Sequence, residues 1–408
     1  MRHVTPEELQ RRLATLPATP RVVVSGNTAM PVEAVRLVDE ALPRYVLHAL
    51  NAPHGVPDRD GVTAETCFVG PGMRRHHDLR YVPSRLSLVP LLYARTLPPD
   101  VVLLHCSPPR GTHVSLGVEV NILPAAVEAC RARGGLVVAV LNPAMPYTFG
   151  DAQIDVEDID LAVTIDAPLP SHEPLPPDDD SLAIGERVAS LVGDGATMQL
   201  GIGGVPDATL AALGRRTGLR IWSEMFSDGV IDLDEAGALD PQHPLVTSFA
   251  FGSQRLYDWL DGNPRVRTMR TERTNDPGLI AQQRAMTSVN TALEVDLFGQ
   301  ANASRIGKRI HSGFGGQTDF IVGALHSPGG QSFIALRSWH PRADVSTIVS
   351  LLDQPVTSFQ QSAVVTEHGL APLVGRSERE QCRDIIEQCA HPRVRDDLWE
   401  GAEALGLA

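Results

Sequence analysis

The stretch Thr197-Met198-Gln199-Leu200-Gly201-Ile202-Gly203-Gly204-Val205-Pro206 reads as a short apolar strand running into a glycine-rich turn, with a helix expected over 208–213. About twenty residues on, a second strand over 219–223 ends in Trp222-Ser223-Glu224-Met225-Phe226-Ser227-Asp228-Gly229. Strand, turn, helix and strand in that order make a βα unit of a parallel sheet. Ligands of such sheets gather beyond the carboxyl ends of the strands, where the turn and Glu224 both fall. The turn offers backbone N–H groups to an anion or a developing oxyanion, with Pro206 capping the helix start. It lacks the third glycine and the acidic partner of a dinucleotide site, and the Gly-Lys-Ser/Thr ending of a Walker loop. From residue types alone, an ordinary tight turn explains the first segment equally well, and a surface carboxylate is the preferred reading of the second.

Working outward, the same alternation fills both halves of the chain. In the first half β-like runs cover 21–25, 45–50, 100–106, 136–142 and 159–165, with helical patterns at 32–42 and 123–133. In the second, helices are expected at 184–192, 253–260, 278–285 and 378–390. Strands are expected at 245–251, 266–270 and 363–366, and a strand-rich stretch over 289–325. The run Pro168–Asp180, rich in Pro and Asp, separates the halves. The expectation is an α/β protein of two tandem open domains with mostly parallel sheets. The first covers residues 1–170, a linker follows at 171–182, and the second, carrying the functional carboxylate, covers 183–408.

Composition narrows the function classes. The 408 residues are 43% hydrophobic, 5% aromatic and rich in Gly and Pro (35 and 32), with a net charge of −14. That balance disfavours nucleic acid or an anionic membrane as partner, while a small polyanion needs only a local basic patch. Lys308 is the only lysine, so cationic contacts fall to arginine. No apolar run approaches the ~20 residues of a membrane span. The N-terminal segment has no apolar core of a secretory signal. Five scattered cysteines form no C-x-x-C pair, which points to a reduced, cytoplasmic protein.

Other constellations compete with Glu224. The stretch 288–297 alternates with period two and puts Glu294 and Asp296 on one face, a conceivable acid/base pair. A polar strand face at a domain edge is the preferred reading. Ser312-Gly313-Phe314-Gly315-Gly316-Gln317-Thr318-Asp319-Phe320 has three glycines in four positions, which suits close backbone approach to a ligand or a flexible hairpin. His76 and His77 are adjacent and expected to point apart, and no metal-binding spacing occurs; no metal is expected. No G-x-S-x-G elbow supports a serine hydrolase.

These segments together resemble the acetyl-CoA hydrolase/transferase family of class I coenzyme A transferases. In the first half the resemblance is carried by Val82–Ser87, Ser107-Pro108-Pro109, Val114–Val118 and Asn142–Pro146. In the second it is carried by Gly201–Pro206, Ser223–Gly229, Asn275-Asp276-Pro277, Asn290–Asp296, Ser312–Phe320 and Val365–Gly369. The resemblance implies two α/β domains of the CoA-transferase (NagB/RpiA-like) type. It implies ping-pong transfer of CoA between an acyl-CoA and a small carboxylic acid, through a glutamyl-CoA thioester on Glu224. Coenzyme A is then substrate and covalent thioester, with no tightly bound cofactor. By resemblance, Gly316, with its neighbour Gly315, supplies a backbone oxyanion donor and Asn275 a side-chain amide donor. Gly201, Ile202, Gly203, Gly204, Val205 and Pro206 line the CoA path, with Gln317 adding an amide. A family lysine near the CoA phosphates is replaced by Pro341, so Arg342, or else Arg337, takes the phosphate contact. His368 stands where tyrosine is commoner. A homodimer or other homo-oligomer is implied by the family alone. A short-chain acyl-CoA hydrolase on the same scaffold is the alternative activity. A non-catalytic CoA or sugar-phosphate sensor leaves Glu224 unused, and a phosphosugar isomerase does not explain Glu224 with both glycine nests.

Overall fold

The computed structural model describes residues 1–356, 358 and 360–408. The chain divides into two compact units. The first comprises residues 1–173, 245–274 and 311–315; the second comprises 174–244, 275–310 and 316–408. Segments 245–274 and 311–315, which lie in the second half of the sequence, thus pack with the first unit.

The first unit is built on an eight-stranded, wholly parallel sheet. Its spatial order is Arg2–His3, Leu161–Thr164, Leu136–Leu141, Val101–Cys106, Arg21–Val24, Tyr45–His48, Val62–Thr66, Leu79–Tyr81. Every residue of Val101–Cys106 and Leu136–Leu141 is buried, as expected of central strands covered on both faces. The strands and helices expected over residues 21–165 are found within a residue or two. The outer strands Val62–Thr66 and Leu79–Tyr81 had no apolar run to announce them, because Thr and Glu interrupt the first and Arg the second.

The second unit carries a six-stranded sheet in the order Arg220–Ile221, Thr197–Leu200, Thr287–Asn290, Gln331–Ala335, Ala363–Val365, Leu370–Pro372. Five strands are parallel and the last, which ends in proline at the sheet edge, is antiparallel. Helix Asp179–Leu191 starts inside the expected linker, where Asp178 accepts the Ser181 N–H at 3.0 Å. It lies close against helix Gly204–Leu213, and Gly185 makes this possible: a Cβ there would come within 2.6 Å of the Ala208 carbonyl carbon.

Three local expectations are corrected. The strand-rich reading of 289–325 fails at its end, because Gln317–His326 is a helix. Phe320, Ile321 and Ala324 sit on its buried side at helical spacing, but a short apolar run after glycines reads equally as a strand. The strand expected at 245–251 breaks at Ser248 into Leu245–Thr247 and Phe249–Ala250. The run 288–297 is two strands, Thr287–Asn290 and Glu294–Asp296, not one. Mixed α/β architecture with large parallel sheets, the central expectation, is what the fold shows.

Candidate active site

At the carboxyl edge of the six-stranded sheet, strand Thr197–Leu200 leads into Gly201. Gly203 then turns at φ +113°, an angle that L side chains rarely adopt, with open space around its Cα. The helix begins at Gly204, four residues earlier than expected, so Pro206 stands inside its first turn rather than capping it. The missing proline N–H costs nothing there, since first-turn N–H groups have no intrahelical acceptor. Those groups and the helix dipole make the exposed turn favourable to negative charge.

The neighbouring strand Arg220–Ile221 delivers Glu224. Trp222 N–H donates to Met198 O at 3.1 Å and Ser223 Oγ to Leu200 O at 3.1 Å, pinning the two strand ends side by side. A small pocket beneath them is walled by Leu200, Gly201, Ile221, Ser223 and Met225. Ser227 Oγ donates to Asp207 Oδ1 at 3.3 Å, tying the segment after Glu224 to the glycine-turn helix. Burial, with Asp228's charge, raises the pKa of Asp207 although the Ser227 bond lowers it. Asp228 is the N-cap of helix Gly229–Glu235.

Three residues far apart in sequence converge here. Glu224 is half-buried, and its Oε2 accepts the Asn275 Nδ2–H at 2.7 Å. Asn275 is fully buried. Gly316 is the N-cap of helix Gln317–His326, and its φ of −97° suits any residue. Space, not angle, requires glycine there. A Cβ would lie 1.8 Å from Glu224 Oε2, 2.2 Å from Asn275 Nδ2 and 3.0 Å from Glu224 Cδ. The carboxylate therefore rests against the amino end of a ten-residue helix, with an amide donor on one oxygen. Gln317 reaches Thr291 O at 3.5 Å. Gly315, the covalent neighbour of Gly316, is glycine for the opposite reason: its φ is +58°.

Glu294 accepts from Asn302 Nδ2 at 3.1 Å, and Asp296 Oδ1 accepts the N–H groups of Phe298 and Gln300 at 3.0 and 2.9 Å. Both carboxylates tie down their own hairpin, which agrees with the polar-face reading.

Beyond the ends of strands Gln331–Ala335 and Ala363–Val365 lies a group that sequence reading missed. The Trp339 ring packs on His391 at 4.8 Å, His391 meets His368 at 5.5 Å, and the Arg393 guanidinium lies 5.6 Å over Trp339. Trp339 Nε1 donates to Asp344 Oδ1 at 3.0 Å, stiffening the hairpin that exposes Arg342. Burial and the neighbouring His368 and Arg393 lower the pKa of His391. Arg337 is ion-paired with Asp178. No local spacing links residues 339, 368 and 391–393, so only the fold reveals the cluster.

In the first unit, His76 and His77 do not point apart. Their rings stack at 4.9 Å, beside Asp58, with candidate ligand atoms of the three residues within 4.8 Å of one another. His76 Nδ1 accepts the Asp78 N–H at 3.1 Å while Nε2 lies 2.8 Å from Pro57 O, so both ring nitrogens have protein partners. Among the described residues, no helix is long and apolar enough to cross a membrane.

Residues 252–402 match the model of the acetyl-CoA hydrolase/transferase C-terminal domain. The 4-hydroxybutyrate coenzyme A transferase of Clostridium kluyveri is 41% identical over 93% of this chain and 92% of its own length. The chain belongs to the acetyl-CoA hydrolase/transferase family. Within it, the butyryl-CoA:acetate CoA-transferase of Anaerostipes caccae is 30% identical over 97% of each chain. Relatives named acetyl-CoA hydrolase, such as that of Kluyveromyces lactis, match only 50% of this chain, at 33% identity. Among solved structures, the 4-hydroxybutyrate CoA-transferase of Porphyromonas gingivalis superposes with a TM-score of 0.83 at 31% identity, covering 99% of this chain and 98% of its own. RipA of Yersinia pestis does so with a TM-score of 0.92 at 27%, covering 100% and 98%. The mixed α/β fold is thus shared with these structures along the whole chain.

Proposed function

We propose that the protein is a CoA-transferase that moves CoA between an acyl-CoA and a small carboxylic acid, with Glu224 as covalent carrier. The observation that carries this reading is the contact of Glu224 with Asn275 and the helix-capping Gly316. A Glu224 oxygen attacks the thioester carbonyl, and collapse of the tetrahedral adduct expels CoA thiolate and leaves an acyl-glutamyl anhydride. The thiolate attacks the glutamyl carbonyl, releasing the first acid and forming glutamyl-CoA. The second acid attacks that thioester through its carboxylate, and the displaced thiolate then takes the new acyl group and regenerates Glu224. Each attack creates an oxyanion. The Asn275 amide and the backbone N–H groups at the start of helix Gln317–His326 are the donors suited to it.

The turn Gly201–Pro206 is read as the wall of the CoA path beside Glu224. Strands Arg220–Ile221 and Ala363–Val365 are four neighbours apart in the sheet, roughly 19 Å at the usual strand spacing. That reach suits an extended pantetheine arm, and supports reading Trp339, His391 and Arg393 as the ground for an adenine ring and its phosphates. Arg342 rather than the carboxylate-paired Arg337 is the better phosphate donor. The reading carries with it a homodimer in the cytoplasm, to be checked by light scattering and fractionation.

The test is turnover of acetyl-CoA with and without an acceptor acid, followed by peptide mass analysis after borohydride or CoA trapping. Acceptor-dependent turnover and an adduct on the Glu224 peptide are expected. An adduct on Glu294, or activity surviving Glu224→Ala, overturns the reading; comparable CoA release without acceptor makes the enzyme a hydrolase.

A further inference from the structure

A second carboxylate is held by asparagine amides, in the first unit. Glu119 is buried, with 2% exposure, and belongs to no part of the chemistry above. Asn27 Nδ2 donates to its Oε2 at 2.7 Å and Asn121 Nδ2 to its Oε1 at 2.8 Å. Both amides are themselves oriented. Asn51 Nδ2 donates to Asn27 Oδ1 at 2.8 Å, and Ser248 Oγ donates to Asn121 Oδ1 at 3.0 Å. Each asparagine is therefore obliged to turn an N–H toward Glu119, an arrangement made for an acceptor-only carboxylate.

The backbone marks the same three residues. Asn27, Asn51 and Asn121 have φ of +46°, +45° and +36°, and they are three of the five non-glycine residues with positive φ among the described residues. Left-handed backbone persists only where its surroundings enforce it, and it concentrates at functional positions. Asn27 and Asn51 lie just past the carboxyl ends of strands Arg21–Val24 and Tyr45–His48, on the edge where open sheets bind ligands.

From Asn51 the network continues into a loop. Its N–H donates to Phe68 O at 2.8 Å, and Phe68 forms an antiparallel bridge with Gly313. Val69 N–H donates to Ser312 O at 2.8 Å and Leu86 N–H to Gly315 O at 3.0 Å. The loop has no slack, since a Cβ on Gly313 would lie 2.4 Å from Cys67 O and one on Gly315 3.2 Å from the Phe68 ring. The residue after Gly315 is Gly316.

We propose that Glu119 is a positioning residue for the transfer reaction, acting through Asn27 and Asn51 to hold the turn 312–315 that delivers Gly316. The proposal rests on the role given above to Gly316. Ionised Glu119 keeps both amides in place. Protonation on Oε2 sets an O–H against the Asn27 N–H₂, and a turn of Asn27 releases Asn51. Burial pushes the Glu119 pKa up to about 7 against the two amide hydrogen bonds, which lower it, and no ionised side chain contributes to the shift. The groups facing it are Asn27 and Asn121, with Ser248 behind Asn121 and Asn51 behind Asn27.

Glu119→Gln keeps the shape and sets donor against donor. The expected result is a kcat lower by about tenfold to a hundredfold, the scale of a small misplacement of a catalytic group, with the KM for acyl-CoA changed less than about twofold. In the wild type kcat should fall as the pH drops through about 7, and in the variant that limb should vanish. A folded variant with unchanged kcat and the same limb overturns the proposal. Asn51→Gly keeps the backbone angle and removes the amide, which covers failure of the first variant to fold; a kcat lower by about fivefold or more supports the proposal, and an unchanged one overturns it. Glu224→Ala, run in parallel, separates the two readings. Activity surviving there defeats the covalent mechanism itself, whereas a dead Glu224→Ala beside a normal Glu119→Gln defeats only this inference.

Discussion

Glu224 and Glu119 each receive an asparagine N–H at 2.7 Å, yet the two carboxylates are set up for opposite tasks. Glu224 is half-buried, lies against the amino end of a helix and has its neighbour trimmed to glycine, which leaves room for its carboxylate. Glu119 is closed off, its two oxygens saturated by amides whose own orientations are fixed. On the proposed mechanism the partner-bound, half-buried carboxylate serves as the nucleophile, whereas the fully enclosed one acts only through what it holds. Burial, not the residue type, separates the two on this reading.

The largest effect that would sharpen this contrast is loss of the reachable carboxylate. Glu224→Ala should lower kcat about 10⁵-fold or more in an acyl-CoA/acetate exchange assay, with the fold intact by circular dichroism. Next, Gly316→Ala should cost about 10²- to 10³-fold, because its methyl must displace Glu224 Oε2 or the Asn275 amide. A near-normal rate there would break the argument that space selects this glycine. Asn275→Ala removes one oxyanion donor and should cost about 10²-fold in kcat, read in the same assay with KM followed separately.

Smaller effects concern stability and separate Glu119 from a third buried carboxylate, Glu65. Burial raises the pKa of Glu65, but His48 at 3.0 Å and Arg21 at 2.9 Å outweigh it and hold the group at about 2. Its contribution to stability is present above the ordinary value of 4.5 and is lost as the pH falls through about 2. Glu119 behaves oppositely: its contribution is full below 4.5 and is lost as the pH rises through about 7. Urea unfolding at pH 5 and pH 8 tests this. Glu65→Gln should be destabilised by about 3 kcal/mol at both, as expected when one partner of a buried ion pair is removed. Glu119→Gln should gain on the wild type between pH 5 and pH 8. The smallest expected change is for Trp339→Ala, a several-fold rise in KM for acyl-CoA with kcat nearly unchanged, reflecting about 1 kcal/mol of lost stacking.

Much of the site could be read before folding. The alternation of short apolar runs with helical patterns announced parallel sheets, because strands buried on both faces must be continuous in Val, Leu and Ala. Glu224 and the turn Gly201–Pro206 were placed at strand ends by that pattern. Less visible was the helix Gln317–His326, since three glycines before an apolar run are equally compatible with a hairpin. The cluster of Trp339, His368, His391 and Arg393 left no trace in spacing, and neither did the network of Asn27, Asn51, Glu119 and Asn121. Each joins segments from different strand ends, and no local period connects them.

The sequence by itself determined the architecture and the chemistry-bearing residue types, since periodicity and turn residues act over a few positions along the chain. Only tertiary structure decided which glycine was needed for angle and which for space, as Gly315 and Gly316 show side by side. It also decided which carboxylate is enclosed and which is half-buried. Both depend on what a distant segment places within a few ångströms.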